Sequence, residues 1–232
     1  MAVTQTTDAP ARPGKQMLSE RVYDRLRKDV LHGVFGPGDP LKPQELAKQQ
    51  GVSLAVMREV LVRLVGEGLA TRLPNRGFAA PTPSDSRWQQ LTEARLALEP
   101  DMLRMAIERG DLEWETRVRA AHHRLARTPE FDPGHTAYYS DAWAEAHRGF
   151  HRTLLEGCGN AILLETFDRL WTASEVARRL ASHHTPDRSA PDEHGELERA
   201  ALARDPIAAT DALVRHLSRT TAALSPATGT SI

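Results

Sequence analysis

Apolar residues recur at helical spacing along most of this chain, and the interruptions fall where turns form easily. From Ser19 to Gly33, Val22, Leu26, Val30 and Leu31 make one stripe, which predicts an amphipathic helix. Gly36-Pro37-Gly38-Asp39 is a strong turn signal. Pro43 suits the first position of a short second helix, where a missing N–H costs nothing. Leu46 and Ala47 of that helix point inward, and Gly51 permits the left-handed residue that ends it. Ser53 stands where an N-cap should, ahead of a third helix reaching Glu67. Val56, Val60, Leu61 and Leu64 fall on one face of that helix, with Arg58 and Arg63 on the other. Gly66 and Gly68 stop it. Leu69 to Leu73 alternates like a strand, and Asn75-Arg76-Gly77 suits a tight hairpin. Three helices followed by a hairpin make a winged helix-turn-helix, a module that places a helix in the major groove of duplex DNA.

A short linker, Pro81 to Ser86, separates this unit from a second one that reads as helical throughout. Helices are expected near 85–109, 111–127, 136–157, 160–183, 191–204 and 206–224, with Pro100 bending or splitting the first of them. A loop is expected over Thr185 to Pro191, and no β periodicity appears. The fold class is therefore mainly α: a winged helix-turn-helix with a small β-hairpin wing, then an all-α antiparallel helical bundle of about 140 residues. The expected organisation is a tail at 1–16, a reader domain at 17–82, a helical domain at 84–224 and a tail at 225–232.

Composition narrows the partner and the compartment. The net charge is −1, but the halves differ. Residues 1–80 carry 12 Lys and Arg against 8 Asp and Glu, while the remainder carries 18 against 23. A basic reader on an acidic bundle separates phosphate contact from a second task. No apolar run approaches the roughly eighteen residues that would suggest a membrane span. The polar first sixteen residues lack the apolar core of a signal peptide. The single cysteine, Cys158, excludes an internal disulfide, reads as a helix-end packing residue and fits a reducing cytoplasm.

Four histidines of the second unit could share one site. His147 and His151 lie one turn apart on one helix face, His194 begins the penultimate helix, and His216 sits midway along the last. Imidazoles from three helices can converge on one divalent cation. An i, i+4 pair of histidines is by itself a weak signal, and His122, His123, His183 and His184 read as solvated or helix-end residues. Arg95 and Glu99 form an i, i+4 pair, either a solvated or partly buried ion pair of little net value or an inward arginine that meets a carboxylate ligand. Trp143, Trp171, Tyr138 and Tyr139 read as core.

The order of these features resembles the GntR family of transcription regulators, specifically the FadR-like subfamily with a C-terminal domain of the FCD type. The resemblance rests on ERVYDRLRKDVLHGVFGPGDPL, ELAKQQGVS and MREVLVRLVGEGLATRLPNRGFAA in the reader. In the bundle it rests on EARLALEP, FHRTLLEGCGNAILL and EHGELERAALARDPIAATDALVRHL. It spans nearly all of residues 19–220 and implies a ligand-responsive DNA-binding regulator, most simply a repressor. It implies a homodimer on a near-palindromic double-stranded operator, cytoplasmic and with no membrane partner. The implied DNA-contacting positions are Lys42, Gln44, Ser53, Leu54, Arg58, Arg63, Arg72, Asn75, Arg76 and Gly77. The implied metal ligands are His151, His194 and His216, with His147 at the first ligand position. A small carboxylate-containing effector would complete the metal's coordination and meet Arg95, and would shift the reader domains through the linker.

Two departures from the family pattern matter. His147 replaces the usual Asp ligand, which softens the site and favours Zn²⁺, or Ni²⁺, over Mn²⁺ or Ca²⁺. Either four ligands bind or His147 turns away and three do. Gln44 and Leu54 replace two usual arginines, which should change the operator sequence or weaken binding. Two other readings remain open. A metal-independent regulator would hold its effector with Arg95 and Arg178 or Arg179. A metal-dependent hydrolase or isomerase would need a general base, for which His122 and Glu145 are the candidates.

Overall fold

The computed structural model describes residues 15–74, 76–82, 84–133, 135–181 and 190–224. The reader begins with α1 (Lys15–Leu31), whose Val22, Leu26, Val30 and Leu31 are all buried. A two-residue strand, β1 (Pro40–Leu41), follows. Next come α2 (Pro43–Gln50) and α3 (Leu54–Gly66). Gly51 at the end of α2 has φ 65°, a left-handed conformation that disfavours residues with a Cβ. Ser53 caps α3, its hydroxyl accepting from Val56 N–H at 3.3 Å. Strands β2 (Thr71–Leu73) and β3 (Gly77–Ala79) form the wing.

The sequence pattern anticipates a two-stranded hairpin, but the sheet has three strands in the order β1-β3-β2. Leu41 pairs with Phe78 and Arg72 pairs with Phe78 on the other side, both antiparallel. A strand of two residues carries no periodicity from which to read it. The reader core is one cluster in which Met57, Leu61, Leu64 and Leu69 are completely enclosed.

The second unit holds α4 (Asp85–Arg109), α5 (Leu112–Arg127), α6 (Asp141–Glu156), α7 (Ala161–Ala181), α8 (Ala190–Leu202) and α9 (Pro206–Leu224). The first of these helices runs through Pro100 as one element, so of the bend or split expected there the split does not occur. The start of α6 also departs from expectation. Residues 136–139, expected as helix, belong to a hairpin of β4 (Phe131–Asp132) and β5 (His135–Tyr139). The aromatic rings explain this: Phe131 and Tyr139 are cross-strand partners with stacked rings 5.4 Å apart. Ser140 then supplies the true N-cap of α6, accepting from Trp143 N–H at 3.1 Å and donating to the Pro129 carbonyl at 2.8 Å. The expected loop at 185–191 and the expected tails lie largely outside the described residues.

The bundle core contains Trp114, Phe150, Phe167, Met102 and Leu103, and buried Cys158 packs in it at the turn after α6. Helices α1 and α7 meet, and Gly68 lies against Ala173 of α7. His32, just beyond α1, reaches Asp141, the first residue of α6, at 2.9 Å.

Candidate nucleic-acid surface and metal centre

The reader exposes a polar face around α2, α3 and the wing. Gln44 is exposed at the second position of α2, and Arg58 is exposed on the outer side of α3. Leu54, the first residue of α3, is 37 % exposed. Arg72 on β2 and Arg76 in the wing turn are exposed, and Gly77 opens β3 at φ 90°. Lys42 is exposed and pairs with Glu45 at 2.9 Å. Asn75 lies outside the described residues. Arg63 has a different setting. Its guanidinium reaches Glu20 at 2.9 Å and Glu67 at 3.4 Å, and lies 3.6 Å from the centre of the Tyr23 ring. The Tyr23 hydroxyl also donates to Glu67, at 2.5 Å. Burial and then Glu67 push the phenol up to about 12, so it keeps its proton. Arg63 thus braces α3 against α1, whereas Arg58 keeps its arms outward.

The bundle gathers its histidines inside. His147 and His151 from α6, His194 from α8 and His216 from α9 are all buried, and one ligand nitrogen from each lies within 4.8 Å of the others. Of the two arrangements open for His147, the inward one is found. The Nε2 atoms of His147 and His151 are 3.1 Å apart. Four donor nitrogens this close together can converge on one divalent cation. Glu193, itself buried, accepts from His216 Nδ1 at 2.8 Å. That contact fixes the tautomer and turns Nε2 toward the cluster, as outer carboxylates do around ligating histidines. Burial first, then the neighbouring His194, holds His147 well below the usual imidazole range. Burial and then His147 do the same to His151. Both are therefore neutral near pH 7, the form that ligates.

Trp171 joins this cluster to two buried ion pairs. Its ring lies 5.1 Å from that of His147 and 5.2 Å from that of His151. Arg95 stands 5.1 Å and Arg178 4.0 Å from the same ring. Arg95 is closed on Glu99, with Nε to Oε1 at 2.5 Å and Nη2 to Oε2 at 3.2 Å. Glu99 is fully enclosed and Arg95 nearly so, so the ion pair is there but is buried, not solvated. Trp171 is core, as expected, and also flanks the histidines.

The family models fall on these two halves. Residues 18–79 match the bacterial regulatory proteins of the gntR family, and residues 90–219 match the FCD domain. The chain belongs to the GntR family of transcription regulators, with an FCD domain. The regulator is 34 % identical to the transcriptional regulator BphR of Paraburkholderia xenovorans, over 86 % of this chain and 82 % of that protein. It is 29 % identical to the repressor GlaR of Escherichia coli, over 84 % and 90 % of the respective chains. Among solved structures, E. coli McbR/YncC shares the fold at TM-score 0.66 and 20 % identity, covering 89 % of this chain and 96 % of that one. A GntR regulator from Rhodococcus sp. RHA1 has the same score at 21 % identity and the same coverage.

The regulator therefore binds DNA with its first half, and its second half holds a donor set that suits a divalent metal. No helix among the described residues is long and apolar enough to cross a membrane. Neither candidate general base belongs to the cluster. Glu145 is exposed, and His122 pairs with Glu198 at 2.7 Å while its ring packs on Phe150. His122 is thus half-buried rather than solvated. His123 is exposed, and His183 and His184 lie outside the described residues. Sequence reasoning missed Glu193 and the second role of Trp171. Trp171, Glu175 and Arg178 sit at i, i+4 and i+7, a helical stripe that could have drawn attention to them.

Proposed function

We propose that this regulator is a repressor whose hold on its operator is set by a small carboxylate-containing effector and a divalent cation in the bundle. The observation that carries this reading is the convergence of four buried histidine nitrogens from three helices within 4.8 Å. His147, His151, His194 and His216 would hold the ion. An all-imidazole donor set suits Zn²⁺, with Ni²⁺ next, better than the harder Mn²⁺ or Ca²⁺. A cation there supplies positive charge that attracts an anion. Arg95, buried beside Trp171, adds its own charge to the same region.

On the DNA side, α3 enters the major groove. Arg58 reads a base edge there, with Gln44 and Leu54 facing the same groove. Ser53, Lys42, Arg72, Arg76 and Gly77 lie near the phosphates. Two subunits meet two half-sites of a near-palindrome, because a twofold dimer requires twofold DNA. Its place of action is the cytoplasm, where its operator is.

The signal has a shorter route than the linker at 81–86. The helix with His147 and His151 begins at Asp141, which pairs with His32 of the reader. The helix with Trp171 and Arg178 packs on α1 and, through Ala173, on Gly68. A displacement of α6 or α7 therefore acts on the reader directly. By linkage, an effector that prefers the arrangement unable to hold DNA weakens operator affinity by the same factor that DNA weakens effector binding. The test is metal analysis of the purified full chain and of a variant with His151, His194 and His216 all changed to Ala. The parent should carry about one divalent ion per chain, and the variant should carry none. Equal metal content in the two, with equal effector response, would remove the reading.

A further inference from the structure

Two buried N–H donors beside the histidine cluster have no acceptor among the described residues: Nη1 of Arg178 and the indole Nε1 of Trp171. Both residues are more than nine-tenths buried, Arg178 at 8 % and Trp171 at 1 % exposure. They stack on each other, the guanidinium carbon 4.0 Å from the ring centre. Unmade hydrogen bonds at buried donors are costly, and a native fold seldom keeps two in one stack. The neighbouring Nη2 of Arg178 is satisfied: it donates to Glu175 Oε2 at 2.9 Å and to the Trp171 carbonyl at 3.2 Å. Its proton is also held less firmly than in water. Burial first pulls Arg178 down to about 10, so an added negative charge would be favoured there. Arg95 differs, because its Nε and Nη2 already rest on Glu99 and it has no enclosed donor left unmatched.

Charge points the same way. The four ligands are imidazoles, so no carboxylate in the donor set offsets a bound divalent ion. Glu99 and Glu175 are each engaged by an arginine, and Glu193, beside His216, meets Arg219 at 3.3 Å. A bound divalent cation would therefore leave two positive charges for the effector to balance. The indole ring lies about as close to the histidine rings as to Arg178, so one short molecule could reach both.

We propose that Arg178 and Trp171 form a second anchor in the effector site, and that the effector is a short diacid, one acidic group at the histidines and the other on Arg178 Nη1 and Trp171 Nε1. This rests on the effector reading above and goes beyond it by moving the anion contact from Arg95 to Arg178 and by fixing the effector's charge. Matched acids test it on the zinc-loaded full chain by calorimetry: butyrate against succinate, and hexanoate against adipate. At least one diacid should bind tenfold or more tightly than its monoacid partner.

In Arg178→Lys that preference should fall to within about twofold, because an ammonium cannot reproduce the planar fork. In Trp171→Phe, which keeps a ring and loses the N–H, it should fall severalfold. Zinc content measured in the same samples should not change. Equal binding of mono- and diacids, or an undiminished preference in both variants with zinc retained, would overturn the second anchor alone. A parent chain that holds no zinc and binds none of the four acids would overturn the effector reading and this inference with it. Should either variant lose helical content, the other carries the comparison.

Discussion

The two halves of the molecule place their chemistry on opposite sides of the protein surface. The reader buries only its scaffold and turns Gln44, Leu54, Arg58, Arg72 and Arg76 outward. The bundle does the reverse, enclosing His147, His151, His194, His216, Arg95, Glu99, Glu175 and Arg178. An outward residue can change without disturbing the fold, so operator choice can drift, as the Gln44 and Leu54 departures suggest. An enclosed charged residue cannot change alone, because its partner is then left buried and unpaired. Function in the first half is separable from stability; in the second half the two are joined.

The sharpest way to break this contrast is to cut one partner of a buried pair. Glu99→Ala leaves the Arg95 guanidinium enclosed without its carboxylate. Denaturant unfolding should show a loss of about 3–5 kcal/mol. Arg58→Ala, in the same assay, should change stability by no more than about 0.5 kcal/mol. Comparable losses for the two would dissolve the distinction.

Metal removal comes next. An ion present at about a hundred times its dissociation constant stabilises the native state by about 2.7 kcal/mol. Chelation should lower the melting temperature accordingly, and Zn²⁺ should restore it. Acid should act in the same direction. Burial and the neighbouring positive groups hold His147 and His151 below the ordinary value of 6.5. The unfolded chain therefore takes up protons that the native protein refuses. The stability of the metal-free protein is fully present above pH 6.5 and falls as the pH drops through that value toward the depressed native pKa values. Thermal unfolding of the metal-free protein from pH 8 to pH 5 checks this, and a midpoint that rises on acidification would contradict it.

On the reader side, Arg58→Ala should cost about 1–3 kcal/mol of discrimination at one base pair. Anisotropy with single-base operator variants would detect that. Arg76→Ala should instead weaken all duplexes alike and flatten the salt dependence by about one unit of slope. The smallest effect belongs to His32→Ala. An exposed pair such as His32 and Asp141 contributes about 0–1 kcal/mol. Its loss should leave stability and metal content nearly untouched while reducing the factor by which effector alters operator affinity. An unchanged factor would leave the linker and the α1–α7 contact to carry the signal.

Legibility in the sequence followed the same divide. The helices were readable because Val22, Leu26 and Val30, or Val56, Val60 and Leu64, repeat within single elements. The Ser53 cap and the Gly51 turn were readable because their chemistry is local. Strand β1 was not, since its partner β3 lies far along the chain, and the Phe131–Tyr139 hairpin was not, since strands of two and five residues carry little periodicity. The four histidines stood out as a possible set from their helix positions, a weak signal that the resemblance to a family pattern strengthened. Their second layer stayed hidden. Glu193 beside His216, and Arg178 stacked on Trp171, depend on how α7, α8 and α9 pack, which no local spacing encodes.

The most direct measurement is operator affinity of one preparation in three states: metal-free, zinc-loaded, and zinc-loaded with a saturating acid from the panel above. It should be made at fixed salt and repeated on the variant lacking His151, His194 and His216. Affinity should differ among the three states by about 5–150-fold, and the variant should give one affinity throughout. Three equal affinities in the parent chain, on a duplex it demonstrably binds, would contradict a bundle that governs the reader.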